Sequence, residues 1–259
     1  MDLKYLICEI ENHVALVTLN RPPVNALNSE VFTELATLID ALDENEEVRA
    51  IVLTGSGEKA FIAGADVKEM ATQDLIGLGL MNKKSRALFS KIENANKPVI
   101  AAINGLALGG GLELALACDL RICSEQARFS FPEIGLGIIP GGGGTQRLQK
   151  VVGQGIAKEL IFFGDMIDAN RALELQIVNK VVPRDKLLEE ALEWAHKLAK
   201  KPAIALQMAK LAINYGKNVD TESGLIMETT AFSTAFSSKD AKEGLTAFMD
   251  KRKPQYIGK

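Results

Sequence analysis

The sequence predicts an α/β fold followed by a purely helical C-terminal segment. Apolar runs of strand length alternate with helical patterns through most of the chain, which is typical of α/β proteins. From about Asp185 onward only helical patterns remain. The chain has 259 residues, 47% of them hydrophobic, which is enough for a large buried core. We therefore divide it into a core at 1–195 and a helical region at 196–259.

In the first part of the chain, hydrophobic spacing and turn residues define the elements. Residues 5–11 and 13–20 alternate or run apolar and predict a strand pair that turns near Asn12. Asn28 or Ser29 can cap a helix that continues to Leu42 at helical spacing. The further elements predicted here are a strand at 50–54, a small-residue loop at 61–66 leading into a short helix, and a long helix at 75–95.

The same alternation continues beyond Pro98. Buried strands are predicted at 99–103 and 120–123, with a glycine-containing loop and a helix at 112–118 between them. The helical region then consists of four segments that each carry an apolar stripe, at 186–200, 203–215, 221–236 and 240–251.

Charge and cysteine content argue against several classes of protein. With 30 basic and 33 acidic residues and no basic run, the sequence does not predict binding to nucleic acid. Three cysteines without metal-ligand spacing, and no secretory signal, favour a cytoplasmic protein with free thiols. The nearly uncharged stretch 98–118 has the length of a membrane span, but its four glycines and its glutamate favour strand, loop and helix instead.

Two glutamates stand out because almost no other charge surrounds them. Glu113 is the only carboxylate between residues 98 and 118, and Glu133 is the only charged residue between 129 and 146. A buried carboxylate costs free energy unless it is paired or faces a polar cavity. Two such groups can serve as general acid and general base. Alternatively, each forms a buried structural pair or reaches the surface at the end of its element.

Glycine-rich turns accompany both glutamates. Residues 109–111 follow a predicted strand and open a helix, where backbone amides can hold an anion or a carbonyl oxygen that becomes negative. Residues 64–66 form a second loop of this kind, and the four glycines at 141–144 also suit a simple tight turn before a helix. The lysine of a phosphate-binding loop is missing from these turns, and no dinucleotide-binding pattern follows a strand.

Other chemistries have little support. The only histidines, His13 and His196, have no serine or cysteine beside them in a recognisable nucleophile motif. The sequence therefore predicts neither a hydrolytic triad nor a histidine-based metal site.

Three segments resemble the enoyl-CoA hydratase, or crotonase, family. They read FIAGADVKEM at 61–70, PVIAAINGLALGGGLELA at 98–115 and FSFPEIGLGIIPGGGGTQRL at 129–148. The likeness extends from Asn20 to Lys253 and so covers nearly the whole chain. The resemblance implies a crotonase-like spiral of ββα repeats, followed by a C-terminal helical region that builds homotrimers, commonly paired into homohexamers.

The resemblance also implies acyl-CoA substrates and no metal or redox cofactor. By similarity, the amides of Ala65 and Gly110 form an oxyanion hole for the thioester oxygen, Glu113 orients and activates water, and Glu133 delivers the α-proton. Acyl-CoA binding is assigned to residues in the loop after the first motif and in two glycine turns: Ala63, Gly64, Ala65, Asp66, Val67, Lys68, Gly110 and Gly141. Lys251 or Phe248 of a neighbouring subunit is expected to reach the CoA moiety.

Three functional hypotheses follow. The first is a hydro-lyase that adds water to trans-2-enoyl-CoA, in fatty-acid β-oxidation or short-chain acyl-CoA metabolism. The second keeps the fold but changes the reaction to double-bond isomerisation or another conversion through a stabilised enolate. The third is a non-enzymatic RNA-binding or assembly module, against which the near-neutral charge argues.

Overall fold

The computed structural model describes residues 3–259, and within them ten strands form two sheets. The strands in chain order are β1 (Leu6–Glu11), β2 (Val14–Leu19), β3 (Ala50–Gly55), β4 (Ala60–Ala63), β5 (Val99–Ile103), β6 (Leu106–Leu108), β7 (Leu120–Ser124), β8 (Arg128–Ser130), β9 (Ile167–Asp168) and β10 (Lys180–Val182). The large sheet has the order β1-β2-β3-β5-β7-β10, and the small sheet has the order β4-β6-β8-β9. Apart from the β1–β2 and β8–β9 pairs, neighbouring strands run parallel.

The helices cover the sheets and then continue beyond them. In chain order they are α1 (Ser29–Glu44), α2 (Val67–Met70), α3 (Leu75–Asn94), α4 (Gly110–Ala117), α5 (Gly144–Val152), α6 (Gln154–Phe163), α7 (Ala169–Glu174), α8 (Leu187–Ala199), α9 (Ala203–Gly216), α10 (Thr221–Phe236) and α11 (Lys239–Met249), with 3-10 helices at Pro132–Leu136 and Arg184–Lys186. Asn28 caps α1, because its side chain accepts a hydrogen bond from Val31 N.

Three successive strand pairs are arranged in the same way across the two sheets. The pairs β3–β4, β5–β6 and β7–β8 each place their first strand in the large sheet and their second in the small sheet, and helical segments follow each pair. Because the repeats advance side by side, their second strands end at one edge and carry the loops after them to the same place. This arrangement confirms the predicted spiral of ββα units.

The large sheet is buried on both faces, which explains the continuous apolar runs of its central strands. In β3, Ile51 and Leu53 face the main core, which includes residues of α1, α3 and α4. Ala50 and Val52 face the opposite way and pack in a second cluster with the alanines of α8. Alternate residues of one strand therefore stabilise two separate layers.

Helix α4 is buried, as its uniformly apolar sequence predicts. Seven of its residues, from Gly111 to Ala117, have little exposed surface. A side chain at Gly111 would collide with the carbonyl oxygen of Ile62, so the glycine permits direct contact between α4 and β4. This contact fixes the helix that carries Glu113 against the small sheet.

The sequence prediction missed most of the small sheet. Residues 61–66 are predicted as a loop, but Ala60–Ala63 form β4 and pair in parallel with β6. Strands β6 and β8 were not predicted either, and each has only three residues. The predicted large-sheet strands and the four C-terminal helices agree with the structure to within two residues at either end.

The stretch 98–118 is not one long helix. It contains the predicted strand β5 and helix α4, and the short strand β6 lies in the predicted loop between them. Within residues 3–259, no helix combines the length and the apolar character that crossing a membrane requires.

The predicted division between residues 195 and 196 falls inside α8. The alanines of this helix, including Ala195, pack against the large sheet, so α8 is continuous with the core layers. Beyond it, α9, α10 and α11 expose large apolar side chains: Leu211, Ile213, Leu225, Ile226, Phe232, Phe236, Leu245, Phe248 and Met249.

A mostly buried ion pair joins α9 to the end of the large sheet. Lys210 Nζ lies 2.8 Å from Asp119 Oδ2 and also donates to the carbonyl oxygens of Ile92 and Lys97. The same Asp119 oxygen accepts a hydrogen bond from Val99 N, at the start of β5. One lysine therefore satisfies three acceptors where α3, β5 and α4 meet α9.

We expect Lys210→Met to lower the free energy of unfolding by about 3 kcal/mol, because it leaves Asp119 buried without its partner charge. Urea denaturation at fixed protein concentration measures this loss. The matched control is Lys197→Met, which breaks an exposed pair with Glu193 and should cost under about 0.5 kcal/mol. Equal stability of the two variants would show that the Lys210 pair does not anchor α9.

Candidate active site

A cleft of about 680 Å³ opens where the loops after β4, β6 and β8 converge. Both isolated glutamates line it, together with backbone from the two predicted glycine loops. Most of the remaining lining is apolar and comes from α3 and from the segment 136–140. The cleft therefore combines two carboxylates with an apolar chamber, as small-molecule sites commonly do.

Glu113 is buried and held by a glycine turn. It projects from the first turn of α4, and only 4% of its surface is exposed. Its Oε1 accepts hydrogen bonds from Gly142 N at 2.8 Å and from Gly144 N at 2.7 Å. Burial raises the pKa of Glu113, while the amides of Gly144 and Gly142 and the charge of Arg147 oppose that rise.

Glu133 stands on the short 3-10 helix Pro132–Leu136 in a different environment. Its Oε2 is buried and has no hydrogen-bond partner among residues 3–259. Its Oε1 lies against Gly109, since a methyl group there would approach it to 2.6 Å. Burial and, less strongly, the negative charge of Glu113 raise the pKa of Glu133 to about 7. At neutral pH this carboxyl can therefore either hold or release a proton.

Ala65 and Gly110 both line the cleft and lie close to each other. A Cβ atom at Gly110 would be 3.6 Å from Ala65 N, so the two residues are neighbours across the cleft floor. Gly110 is the first residue of α4, where a helix leaves its amide without an internal acceptor. Leu27 and Ala65 form an isolated β-bridge, whose hydrogen bonds run from Leu27 N to Gly64 O and from Asp66 N to Leu27 O. The amide of Ala65 takes no part in these hydrogen bonds.

The loop that carries Ala65 is fixed by Asp66. The Asp66 carboxylate caps α2 by accepting from Lys68 N and Glu69 N, and it pairs with Arg21 at 2.6 Å. The hydrogen bond from Arg21, together with those amides, lowers the pKa of Asp66 despite its burial. Asp66 thus remains charged and holds the loop in place.

The structure brings most of the predicted site residues together. The catalytic candidates Glu113 and Glu133 line the cleft, as do Ala63, Gly64, Ala65, Val67, Gly110 and Gly141. Asp66 and Lys68 do not line it: Asp66 faces Arg21, and Lys68 is exposed. Their assignment to CoA binding, and the chemical roles of the others, remain predictions.

Helix α3 supplies a wall that the sequence analysis did not assign. Its Leu78, Met81, Asn82, Ser85 and Phe89 line the cleft. Ser85 is buried within an otherwise apolar stripe and donates to Asn82 O. A polar residue in the buried stripe of a predicted helix is the signal that could have identified this wall.

No group of three or more His, Cys, Asp or Glu side chains between residues 3 and 259 has an arrangement that could hold a metal ion.

Comparison with known proteins assigns the family. The model of a family described as enoyl-CoA hydratase/isomerase matches residues 9–259. The chain belongs to the enoyl-CoA hydratase/isomerase family. This confirms the family that the sequence motifs indicated.

Similar members of the enoyl-CoA hydratase/isomerase family match along their full length. A short-chain-enoyl-CoA hydratase of Clostridium acetobutylicum is 47% identical over 257 residues, which cover 98% of this chain and 97% of that protein. A crotonyl-CoA hydratase of Syntrophomonas wolfei is 41% identical and covers 100% of both chains. The solved structure of an enoyl-CoA hydratase from Bacillus anthracis has a TM-score of 0.95 and 43% identity, covering 99% of this chain and 100% of that chain. The predicted crotonase fold is thereby confirmed.

The raised pKa of Glu133 can be tested directly. We expect its carboxyl carbon to titrate with a pKa of about 7 in ¹³C NMR of glutamate-labelled protein. Glu113→Gln should lower that pKa, because it removes a negative charge that disfavours ionisation. The pKa should nevertheless remain above the ordinary value, since burial of Glu133 persists. Titration at an ordinary pKa in the unmutated protein would contradict the proton-holding role of Glu133.

Proposed function

We propose that this chain adds water to short- to medium-chain trans-2-enoyl-CoA thioesters and catalyses the reverse dehydration of 3-hydroxyacyl-CoA. The proposal rests on one observation: two carboxylates with different environments share a cleft with the amides of Ala65 and Gly110. The hydratase names of the relatives from C. acetobutylicum and S. wolfei support the same reaction.

The reaction needs an acid, a base and a group that stabilises negative charge. Conjugation with the thioester makes the β-carbon electrophilic. When water oxygen bonds to it, electron density moves through the former double bond to the carbonyl oxygen. The resulting enolate takes a proton at the α-carbon, so one water is added in total and no electrons are exchanged with another molecule.

In this proposal the environment of Glu113 suits water activation. Two amide donors hold its Oε1, which favours the ionised form and leaves Oε2 to accept a hydrogen bond from water. Glu133 suits the proton transfer at the α-carbon, because its raised pKa lets it carry a proton at neutral pH. The contrast between the two environments separates the acid role from the base role.

The amides of Ala65 and Gly110 would receive the thioester oxygen. Preorganised donors of this type contribute roughly 3 kcal/mol each when they meet a developing oxyanion. Gly110 adds the positive end of the α4 dipole. Because carboxylates and amides together provide every group that hydration requires, the proposal includes no metal or redox cofactor, and coenzyme A enters only as part of the substrate.

We expect Glu133→Gln and Glu113→Gln each to lower kcat by roughly 100- to 10,000-fold, the range associated with a lost general acid or base. Loss of the absorbance of the conjugated enoyl-thioester, followed with crotonyl-CoA and longer substrates, measures the rate. Glu174→Gln is the control. Glu174 is an exposed glutamate on α7, in a later part of the chain than either candidate, and it pairs with Arg171.

Product analysis separates hydration from isomerisation. In heavy water, NMR should detect a 3-hydroxyacyl product carrying deuterium at the α-carbon. A shifted double bond without a hydroxyl group would replace hydration with the second hypothesis, and full activity of Glu133→Gln would refute the proposed mechanism.

The C-terminal helices provide a surface for assembly into homotrimers or homohexamers. Helices α9–α11 leave many large apolar side chains exposed. Large exposed apolar patches commonly mark protein interaction sites. Phe232 and Phe236 stack on α10 with centroids 5.9 Å apart and are both more than half exposed. A second copy of this chain would bury them.

We expect Phe232→Asp to dissociate this assembly, because a charge at a buried apolar contact is costly. Sedimentation should give three or six times the chain mass of 28.0 kDa for the unmutated protein and a smaller species for the variant. Ile7→Asp, which places the same charge at an exposed position on β1, serves as control. A monomeric unmutated protein would exclude the proposed assembly.

The proposal also places the enzyme in the cytoplasm. Cys8, Cys118 and Cys123 are free, and burial raises the pKa of both Cys118 and Cys123 to about 12. Free, unreactive thiols are typical of proteins in reducing compartments.

A further inference from the structure

One arginine connects the glycine turn at Glu113 to the end of α3. Arg147 lies in the first turns of α5, and its Nη1 donates to Gly142 O at 3.0 Å. Its Nε and Nη2 both donate to Glu93 Oε2, at 3.2 and 2.8 Å. The guanidinium is thus hydrogen-bonded on two sides and mostly buried.

The turn that Arg147 holds is the turn that orients Glu113. Gly142 accepts from Arg147 through its carbonyl oxygen and donates to Glu113 through its amide. Gly143 has a φ of +116°, and a side chain there would collide with Arg147 Nη1. The path of the turn is therefore adapted to the guanidinium on one side and to the carboxylate on the other.

Helix α9 fixes the far end of this connection. Lys217, which follows α9, donates through Nζ to Glu93 Oε1 at 2.7 Å, while Arg147 occupies Oε2. Asn214 donates to the backbone oxygen of Glu93 at 2.8 Å. Burial alone would raise the pKa of Glu93, but Lys217 and Arg147 outweigh it and hold that pKa below its usual range.

We propose that Arg147 is a positioning residue for the proposed hydration: it holds the Gly142 turn that aims Glu113, and Glu93 and Lys217 hold Arg147. This inference rests on the proposed function. It assigns no contact with substrate to Arg147, whose effect passes through the two amides bound to Glu113 Oε1.

Arginine suits this task better than any other residue. Its planar fork can bind a carbonyl oxygen and a carboxylate at once, whereas lysine offers a compact charge at one point. A shift of Gly142 would turn its amide away from Glu113 and misdirect the water, and small misplacements of reacting groups lower rates strongly. The charge of Arg147 also opposes the rise in the pKa of Glu113 caused by burial.

The experiment compares Arg147→Met, Arg147→Lys and Lys217→Met with the unmutated enzyme. Steady-state kinetics with crotonyl-CoA across a range of pH gives kcat, KM and the acidic limb of each profile. Arg171→Lys is the matched control, because Arg171 pairs with Glu174 on the exposed side of α7. Melting temperatures report any general loss of stability.

We expect Arg147→Met to lower kcat by roughly 10- to 100-fold while KM changes less than about twofold, since only the orientation of the reacting water is lost. Its acidic limb should move to higher pH, because the pKa of Glu113 rises without the nearby positive charge. Arg147→Lys should keep the acidic limb of the unmutated enzyme but recover only part of kcat. Lys217→Met should lower kcat less than about fivefold, because Glu93 still pairs with Arg147 and a partly exposed ion pair contributes little.

Unchanged kcat in Arg147→Lys, or a rise in KM without a fall in kcat, would overturn the inference. If Arg147→Met does not fold, Arg147→Lys still decides the question against Arg171→Lys. Failure of the proposed function has a different signature: the unmutated protein would then not hydrate crotonyl-CoA. Hydration that depends on Glu133 but is indifferent to Arg147 would refute only the positioning role.

Discussion

The site depends on placing one carboxylate inside an apolar helix. Glu113 cannot reach bulk water from α4, so its charge must be balanced within the protein. Two amides of the glycine turn provide this balance at one oxygen and leave the other oxygen available to the cleft. This turn needs glycine at Gly143, beside Arg147, and at Gly142, beside Glu113. One buried charge thus determines the composition of a loop about thirty residues away in sequence.

The ββα repeats explain how distant segments reach one cleft. Each repeat returns its second strand to the small sheet, so the segments after β4, β6 and β8 leave from the same edge. They deliver Ala65, Gly110 and Glu133, while β6 leads directly into the helix of Glu113. Contact between Gly111 and the backbone of Ile62 keeps α4 close to β4. A fold with side-by-side repeats therefore brings two carboxylates and the backbone of two glycine-containing loops to one cleft without a long loop.

Sequence alone could predict five of the six large-sheet strands, most of the helices and the two isolated glutamates, because each leaves a local signal. It missed the three-residue strand β10 and the helices α6 and α7. The strands of the large sheet are continuous apolar runs, and Glu113 and Glu133 are isolated charges. The small sheet left no comparable signal, because β6 and β8 have three residues each. Three residues are too few for an alternation of apolar and polar side chains to be recognised. The pairing of Arg147 with Glu93 joins residues 54 positions apart, so it depends on the tertiary arrangement of α3 and α5.

The unpaired oxygen of Glu133 has a consequence for folding as well as for chemistry. Its pKa rises from 4.5 to about 7 on folding, so the native chain binds this proton more tightly than the unfolded chain does. Between these two values the native state holds more protons, and the free energy of unfolding therefore decreases as the pH rises through that interval. The fold is consequently less stable at the pH where this group becomes able to exchange its proton than at lower pH, where the group stays protonated.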